Sequence, residues 1–261
     1  MDAFLADLKN LSKGNESKVF NAVLGNESGD LDSFVSSVAL AFHLTTSKGV
    51  RHVPLMAFDR RDLDLRTEVL YCFRRLNLEP ANLAFADDLD QKMAKGVDRV
   101  VLVDHNRVNN PALAELDSKV ATIIDHHIME RSAAACEGVD MTVRTVGSCA
   151  TLVAEKIFAD DPGFDDEKVL SLIRWTILTD TSNLSPTTKK ATDDDVRVLE
   201  DIERRLGISA ESRSGDFKLI SQAKADTSHF DCSMLIRNDE ISNISVRVAV
   251  NLVTSCWHFR P

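Results

Sequence analysis

The sequence predicts an α/β fold, a mostly parallel, doubly wound sheet with helices on both faces, closed by a small, incomplete α/β C-terminal cap. Three observations predict it. Residues 99–103 and 120–124 are nearly continuous apolar runs, the pattern of strands buried on both faces of a parallel sheet. Residues 19–24 form a shorter apolar run that leads through a loop into a helix-periodic stretch from Phe34 to Leu44, a strand–loop–helix unit. Both buried runs end in an Asp-His pair, Asp104-His105 and Asp125-His126, and ligands of open α/β sheets bind beyond the carboxyl ends of strands.

The elements follow in order. Phe4, Leu5, Leu8 and Leu11 share one helical face, so the chain starts with a short amphipathic helix. Its acidic Asp2 and Asp7 and the lack of a long apolar core argue against a signal peptide. After the first loop and helix, residues 52–58 read as a strand whose Pro54 implies a late start or an edge position. Residues 67–76 read as a helix, 82–85 as a short strand, and 88–95 as a helix stopped by Gly96. Gly147-Ser148-Cys149-Ala150-Thr151 opens a helix to about Phe158. The next helix starts at the acids 165–167, contains Trp175 and runs on to Asp180. Thr192-Asp193-Asp194-Asp195 has the form of a capping box, and that reading is preferred over a metal site. Residues 207–216 turn to Ser, Gly and charge and are expected to be a linker. A helix at 217–224 and an alternating strand at 244–250 complete the chain. The expected division is a larger domain at 1–206 and, after the linker at 207–216, a small second domain at 217–261.

Composition narrows the function. The chain has 261 residues, with 44% hydrophobic and 28% charged, which suits one large domain or two modest ones. The net charge of -10 argues against general nucleic-acid or membrane affinity, though a local cation can still reverse the field in a cleft and admit an anion. No apolar run approaches the ~20 residues of a membrane span. The five cysteines are odd in number and form no CxxC pair, which fits buried thiols, a reducing compartment and a cytoplasmic protein.

The loop Gly25-Asn26-Glu27-Ser28-Gly29-Asp30-Leu31-Asp32 sets two carboxylates two residues apart at a helix start. Alone, either reads equally as a helix cap. Together with Asp104, Asp125 and Asp180, converging on one crevice, they would be untenable without cations. Carboxylate and imidazole donors with no thiolate suit Mn²⁺, Mg²⁺ or Co²⁺ better than structural zinc. Two such ions about 3.5–4 Å apart form a phosphoryl-transfer centre with water as the nucleophile. His43, His52, His229 and His258 are read as ordinary core or surface histidines.

The motifs NESGDLDS, VDHN, DHH and ILTDTSN, in that order, resemble those of the DHH phosphoesterase family. GSCATLVAEKI and Asn26 are similar to its prune and exopolyphosphatase branch, whereas related manganese-dependent pyrophosphatases carry His at the position of Asn26. SQAKAD, with Lys224, resembles the start of the DHHA2 domain that follows in this branch. The resemblance implies two divalent cations, with Asp30 on one and Asn26 beside it as a weaker or indirect ligand. It implies Asp32, His126 and Asp180 on the second, and Asp104 bridging both. His127 and Lys224 would contact phosphate, His105 and Asn106 would support the substrate side, and Asp125 would orient the His126 ring. The implied activity is release of terminal phosphate from polyphosphate or another short phosphoanhydride, with no nucleic acid and no membrane as partner. Pyrophosphate or a cyclic nucleotide is the alternative substrate, and an inactive interaction protein the alternative class, because the second domain is short.

Overall fold

The structure, a computed structural model, describes residues 1–8 and 19–241. Six parallel strands form one sheet in the order β3-β2-β1-β4-β5-β6. They are β1 (Phe20–Leu24), β2 (His52–Met56), β3 (Ala84–Phe85), β4 (Val97–Val103), β5 (Val120–Asp125) and β6 (Asp140–Val143). Strand order reverses between β1 and β4, so their carboxyl ends flank a crevice at the switch point. Both expected buried runs are strands. Val100, Leu102, Val103 and Ile123 are wholly enclosed. The short edge strand β6 was not expected, because residues 140–143 alternate weakly and are mostly exposed.

Helix α2 (Leu31–Lys48) follows β1 and is the centre of the packing. Every residue from Leu31 to Leu44 is buried, including the expected face of Val35, Val38, Ala39 and Phe42. It lies between the sheet and two later helices, α5 (Cys149–Asp160) and α6 (Glu167–Asp180), which explains why its apolar character extends around the helix. Right-handed crossovers put α2 and α3 (Thr67–Arg75) on one face and the 3-10 segment Pro111–Lys119 on the other. Leu113 and Leu116 of that segment are fully buried.

Two expectations are corrected by packing. Pro54 lies in an interior strand, yet β3 pairs only from Leu55 onward, so on that side Pro54 faces no strand and no ladder bond is lost. Residues 207–216 are not free chain. Gly207 closes α7 (Asp193–Leu206) in the left-handed conformation, a 3-10 turn follows, and α8 (Arg213–Ala225) begins within the expected linker. Asp216, in the first turn of α8, accepts hydrogen bonds from Arg174 of α6 at 2.6 Å and from Arg75 of α3 at 2.9 Å. The composition looked like a linker because these charges pair with distant partners, which local sequence does not reveal.

Helices α1 (Asp2–Leu8), α4 (Gln91–Gly96) and α9 (Cys232–Ile241) complete the described elements. The strand expected at 244–250 lies outside the described residues. Among the described residues Cys72, Cys136 and Cys149 are free thiols, Cys72 and Cys149 buried and Cys136 half-buried. Among the described residues no helix is long and apolar enough to cross a membrane.

Candidate metal centre

The loop between β1 and α2 is shaped by one glycine and one serine. Gly29 has a φ of +57°, and a Cβ there would meet the Phe58 ring at 2.2 Å, so only glycine fits. The Ser33 hydroxyl accepts from the Asn26 backbone N–H at 2.5 Å, folding the loop back on the helix start. Asp30 caps α2, accepting from the Ser33 N–H at 3.1 Å. Capping uses one lone-pair direction of one oxygen and leaves the carboxylate available to a cation.

Asp32 is buried and anchored. It accepts from the Cys149 N–H at 2.6 Å, the Ala150 N–H at 2.8 Å and the Ser36 hydroxyl at 3.2 Å. Its charge therefore sits on the N-terminus of α5, whose dipole favours it. The GSCAT stretch is held in place by Asp195, which is fully buried. Asp195 accepts from the Gly147 N–H at 2.8 Å, the Thr151 hydroxyl at 2.6 Å and both the N–H and hydroxyl of Thr192 at 2.7 Å. The Thr192–Asp195 run is thus a cap and a brace, whereas its neighbour Asp194 makes surface ion pairs with Arg144 and Arg197.

Asp104 ends β4 with a φ of +63°, a strained conformation for a residue with a side chain. The Asn26 amide N–H₂ holds it there, donating to the Asp104 carboxylate at 2.8 Å and to its carbonyl at 3.1 Å. The Asn26 amide oxygen accepts from Ser28 and Gly29. Asn26 is therefore committed to the loop and to Asp104, in keeping with an indirect role.

His126 sits between two of the acids. Its Nδ1 is 2.9 Å from the Val146 carbonyl, so that nitrogen carries a proton. Its other nitrogen, Nε2, faces Asp104 at 3.1 Å and Asp32 at 3.7 Å. The expectation that Asp125 orients the His126 ring is corrected here. Val146 orients it, while Asp125 accepts from the His127 ring at 2.8 Å and from the main-chain N–H groups of both histidines. Burial works against the Asp125 charge, but hydrogen bonds from His127 and Asn106 hold it below the usual carboxylate range. His127 projects outward, with 54% of its side chain exposed, and its Nδ1 is 3.8 Å from Asp104.

Asp180 is the last residue of α6, where the helix dipole disfavours a carboxylate. Its Oδ2 is buried with no hydrogen-bond partner among the described residues. Burial, then the nearby charges of Asp32 and Asp30, push its carboxyl well above the usual range. Burial and the same two neighbours do so for Asp104. Asp32 is raised by burial and by Asp30. The crevice thus gathers Asp30, Asp32, Asp104, His126 and Asp180 with charge left over. An orphaned oxygen and hard oxygen and imidazole donors are what a divalent cation would complete. Asp104, His126 and His127 bring ligand atoms within 4.8 Å of one another.

The structure also places three further expected site residues, Asn106, His105 and Lys224. Asn106 faces the turn after β5. It is buried, donates to Asp125 at 2.6 Å and to the Ile128 carbonyl at 3.0 Å, and accepts from the Glu130 N–H, so it braces the DHH turn. His105 is half-buried, bonded to the Val103 carbonyl, beside Asn26 and Glu27 in a small cleft. Lys224, on α8, reaches Glu68 of α3 at 3.6 Å and is half exposed. Sequence reasoning missed Val146, Asp195 and Glu68. Only Asp195 left a signal, its place in the capping box.

Residues 21–178 match the family described as DHH family, N-terminal domain. The chain belongs to the DHH family. It is 34% identical over 244 residues to Exopolyphosphatase PRUNE1 of Bos taurus, covering 91% of this chain and 53% of that protein. It therefore spans about half the length of that curated relative. A probable manganese-dependent inorganic pyrophosphatase of Lactobacillus acidophilus is 27% identical over 241 residues, 88% of this chain and 70% of that one. Among solved structures, a putative family II inorganic pyrophosphatase of Methanococcus jannaschii has the same fold, with a TM-score of 0.62 at 22% identity over 82% of this chain and 64% of that chain.

Proposed function

We propose that this DHH-family chain carries the metal centre of an exopolyphosphatase-type hydrolase that removes terminal phosphate from polyphosphate or a related short phosphoanhydride. The observation that carries the reading is the gathering of Asp32, Asp104 and Asp180, whose carboxyls burial and neighbouring carboxylates push up, with the Asp180 oxygen unpartnered among the described residues and the His126 ring facing Asp32 and Asp104. Asp32, His126 and Asp180 would hold one divalent cation and Asp30 a second, with Asp104 between them and Asn26 fixing Asp104. Mn²⁺ is the expected ion, with Mg²⁺ or Co²⁺ as substitutes. Bound cations would supply neutralisation of the phosphate oxygens and activation of water.

The chain's own residues would do the rest. His127 is held by Asp125 at the solvent-facing side of the crevice, where its imidazole can bond a phosphate oxygen. Lys224, from the expected second domain at 217–261, would supply a positive charge over the same side, with His105 lining the neighbouring cleft. An exopolyphosphatase fits better than a pyrophosphatase because the Asn26 oxygen is taken up by Ser28 and Gly29. Cytoplasmic residence follows from the reading of cysteine usage and is part of the proposal.

The test is phosphate release from polyphosphate with Mn²⁺, the wild-type chain against Asp104→Ala. The expected loss is at least about 1000-fold, as for removal of a group that organises the reacting charges. Equal trace release by both proteins rejects the reading, and strong preference for pyrophosphate replaces it. Mn²⁺ binding without turnover of any phosphoanhydride supports the inactive interaction protein.

A further inference from the structure

Arg66 is an arginine out of balance. It joins the 3-10 turn Arg60–Leu65 to α3, is only 4% exposed, and its Nε and Nη2 are buried without a hydrogen-bond partner among the described residues. A buried guanidinium normally has its planar fork of donors filled. Its carbon lies 4.6 Å from the centre of the Phe58 ring, and the Phe58 ring is also the surface that admits only glycine at position 29. Arg66 is thus one aromatic ring away from the loop that carries Asp30.

The surrounding charges locate it further. The carboxylate of Asp30 acts electrostatically on both Arg66 and Glu68. Glu68 is itself buried and meets Lys224 at 3.6 Å. Arg66 and Lys224, from distant parts of the chain, therefore flank one buried acid on the Asp30 side of the metal crevice. Glu68, Asp62 and Asp30 offset the charge of Arg66 but leave its Nε and Nη2 donors unfilled among the described residues, and Asp62 is bonded to Arg237 at 2.8 Å. The ligand that fills a guanidinium fork is an oxyanion accepting parallel hydrogen bonds.

We propose that Arg66 is a substrate contact, gripping a non-terminal phosphate of a phosphoanhydride chain beside the phosphate held at the metal centre. This rests on the function proposed above. It adds a specificity element to the DHH part of the chain, independent of Lys224. A buried donor fork is also unfavourable until filled, so the arginine lowers the stability of the ligand-free protein.

The test uses the whole chain loaded with Mn²⁺ and the non-hydrolysable probe methylenediphosphonate, followed by calorimetry. Arg66→Met is expected to weaken diphosphonate binding about 10–100-fold, the range of a bidentate charge-assisted contact. Its Mn²⁺ affinity is expected to stay at the wild-type value, and its metal-free Tm not to fall. Arg66→Lys keeps the charge without the fork and is expected to weaken binding about tenfold, which carries the comparison should Arg66→Met not fold. On tripolyphosphate the loss is expected in KM with kcat little changed. Diphosphonate binding at wild-type strength in both variants overturns the proposal. So does a parallel loss of Mn²⁺ affinity, which would mean that Arg66 acts only by positioning the Asp30 loop, and so does failure of the wild type to bind the probe. A wild type that binds diphosphonate through Arg66 but hydrolyses no phosphoanhydride supports the contact while refuting the hydrolase.

Discussion

Helix α6 buries charge at two places, and the two are treated in opposite ways. In its middle, Arg174 is 1% exposed and every donor group is used: Glu203 at 3.0 Å, Asp216 at 2.6 Å and Ser212 at 2.8 Å. Arg213 and Arg75 complete the same acids. At its end, Asp180 shares a crevice with Asp32 and Asp104, and no arginine or lysine among the described residues makes an ion pair with any of them. The carboxyl of Asp216 is held low and that of Asp180 is pushed high. A buried network that closes on itself holds α3, α6, α7 and α8 together. One that does not close leaves hard oxygen and imidazole donors of the kind that suit a divalent cation.

The largest way to break the comparison is Arg174→Met. It takes one of two arginine partners from each of Glu203 and Asp216 in a buried network and is expected to cost about 3–5 kcal/mol in urea unfolding. A loss below about 1 kcal/mol would place the pair in the surface class. Next is Asp180→Asn, which relieves repulsion in the metal-free crevice. It should raise metal-free stability by about 1–3 kcal/mol and lower Mn²⁺ affinity. Loss of stability without metal would show that Asp180 is already satisfied.

The smaller effect is pH-dependent. Burial opposes the Asp216 charge, but hydrogen bonds from Arg75 and Arg174 outweigh it, so its folded pKa lies below the unfolded value of about 3.9. The stabilisation is therefore complete above that value and fades as pH falls through the folded one. Asp216→Asn should cost about 2 kcal/mol at neutral pH, with the gap to wild type narrowing below about pH 4. A gap that is constant with pH would assign the effect to shape instead of charge.

The crevice was more legible in the sequence than the closed network. Asp30, Asp32, Asp104, Asp125 and Asp180 stand at ends of apolar-periodic segments, and the topology of a parallel sheet sends such ends to one rim. The network of Arg174, Glu203, Arg213 and Asp216 gives no such signal, because ion pairs across helices depend on three-dimensional packing, and part of it was read as a linker. Finer roles within the crevice failed for a related reason. Asp125, Asn106 and His126 are adjacent in motif, yet which one orients which ring depends on where the Val146 carbonyl falls, and residues 140–146 offered no clear pattern. Arg66 was invisible because nothing local distinguishes a paired arginine from an unpaired one.

The most direct measurement is calorimetric titration of the metal-free chain with Mn²⁺, paired with thermal unfolding. The account predicts two ions per chain, a Tm that rises with Mn²⁺ concentration as binding favours the folded state, and loss of both effects in Asp104→Ala. A wild-type chain that takes up no Mn²⁺ and unfolds at the same temperature with and without it would contradict the account.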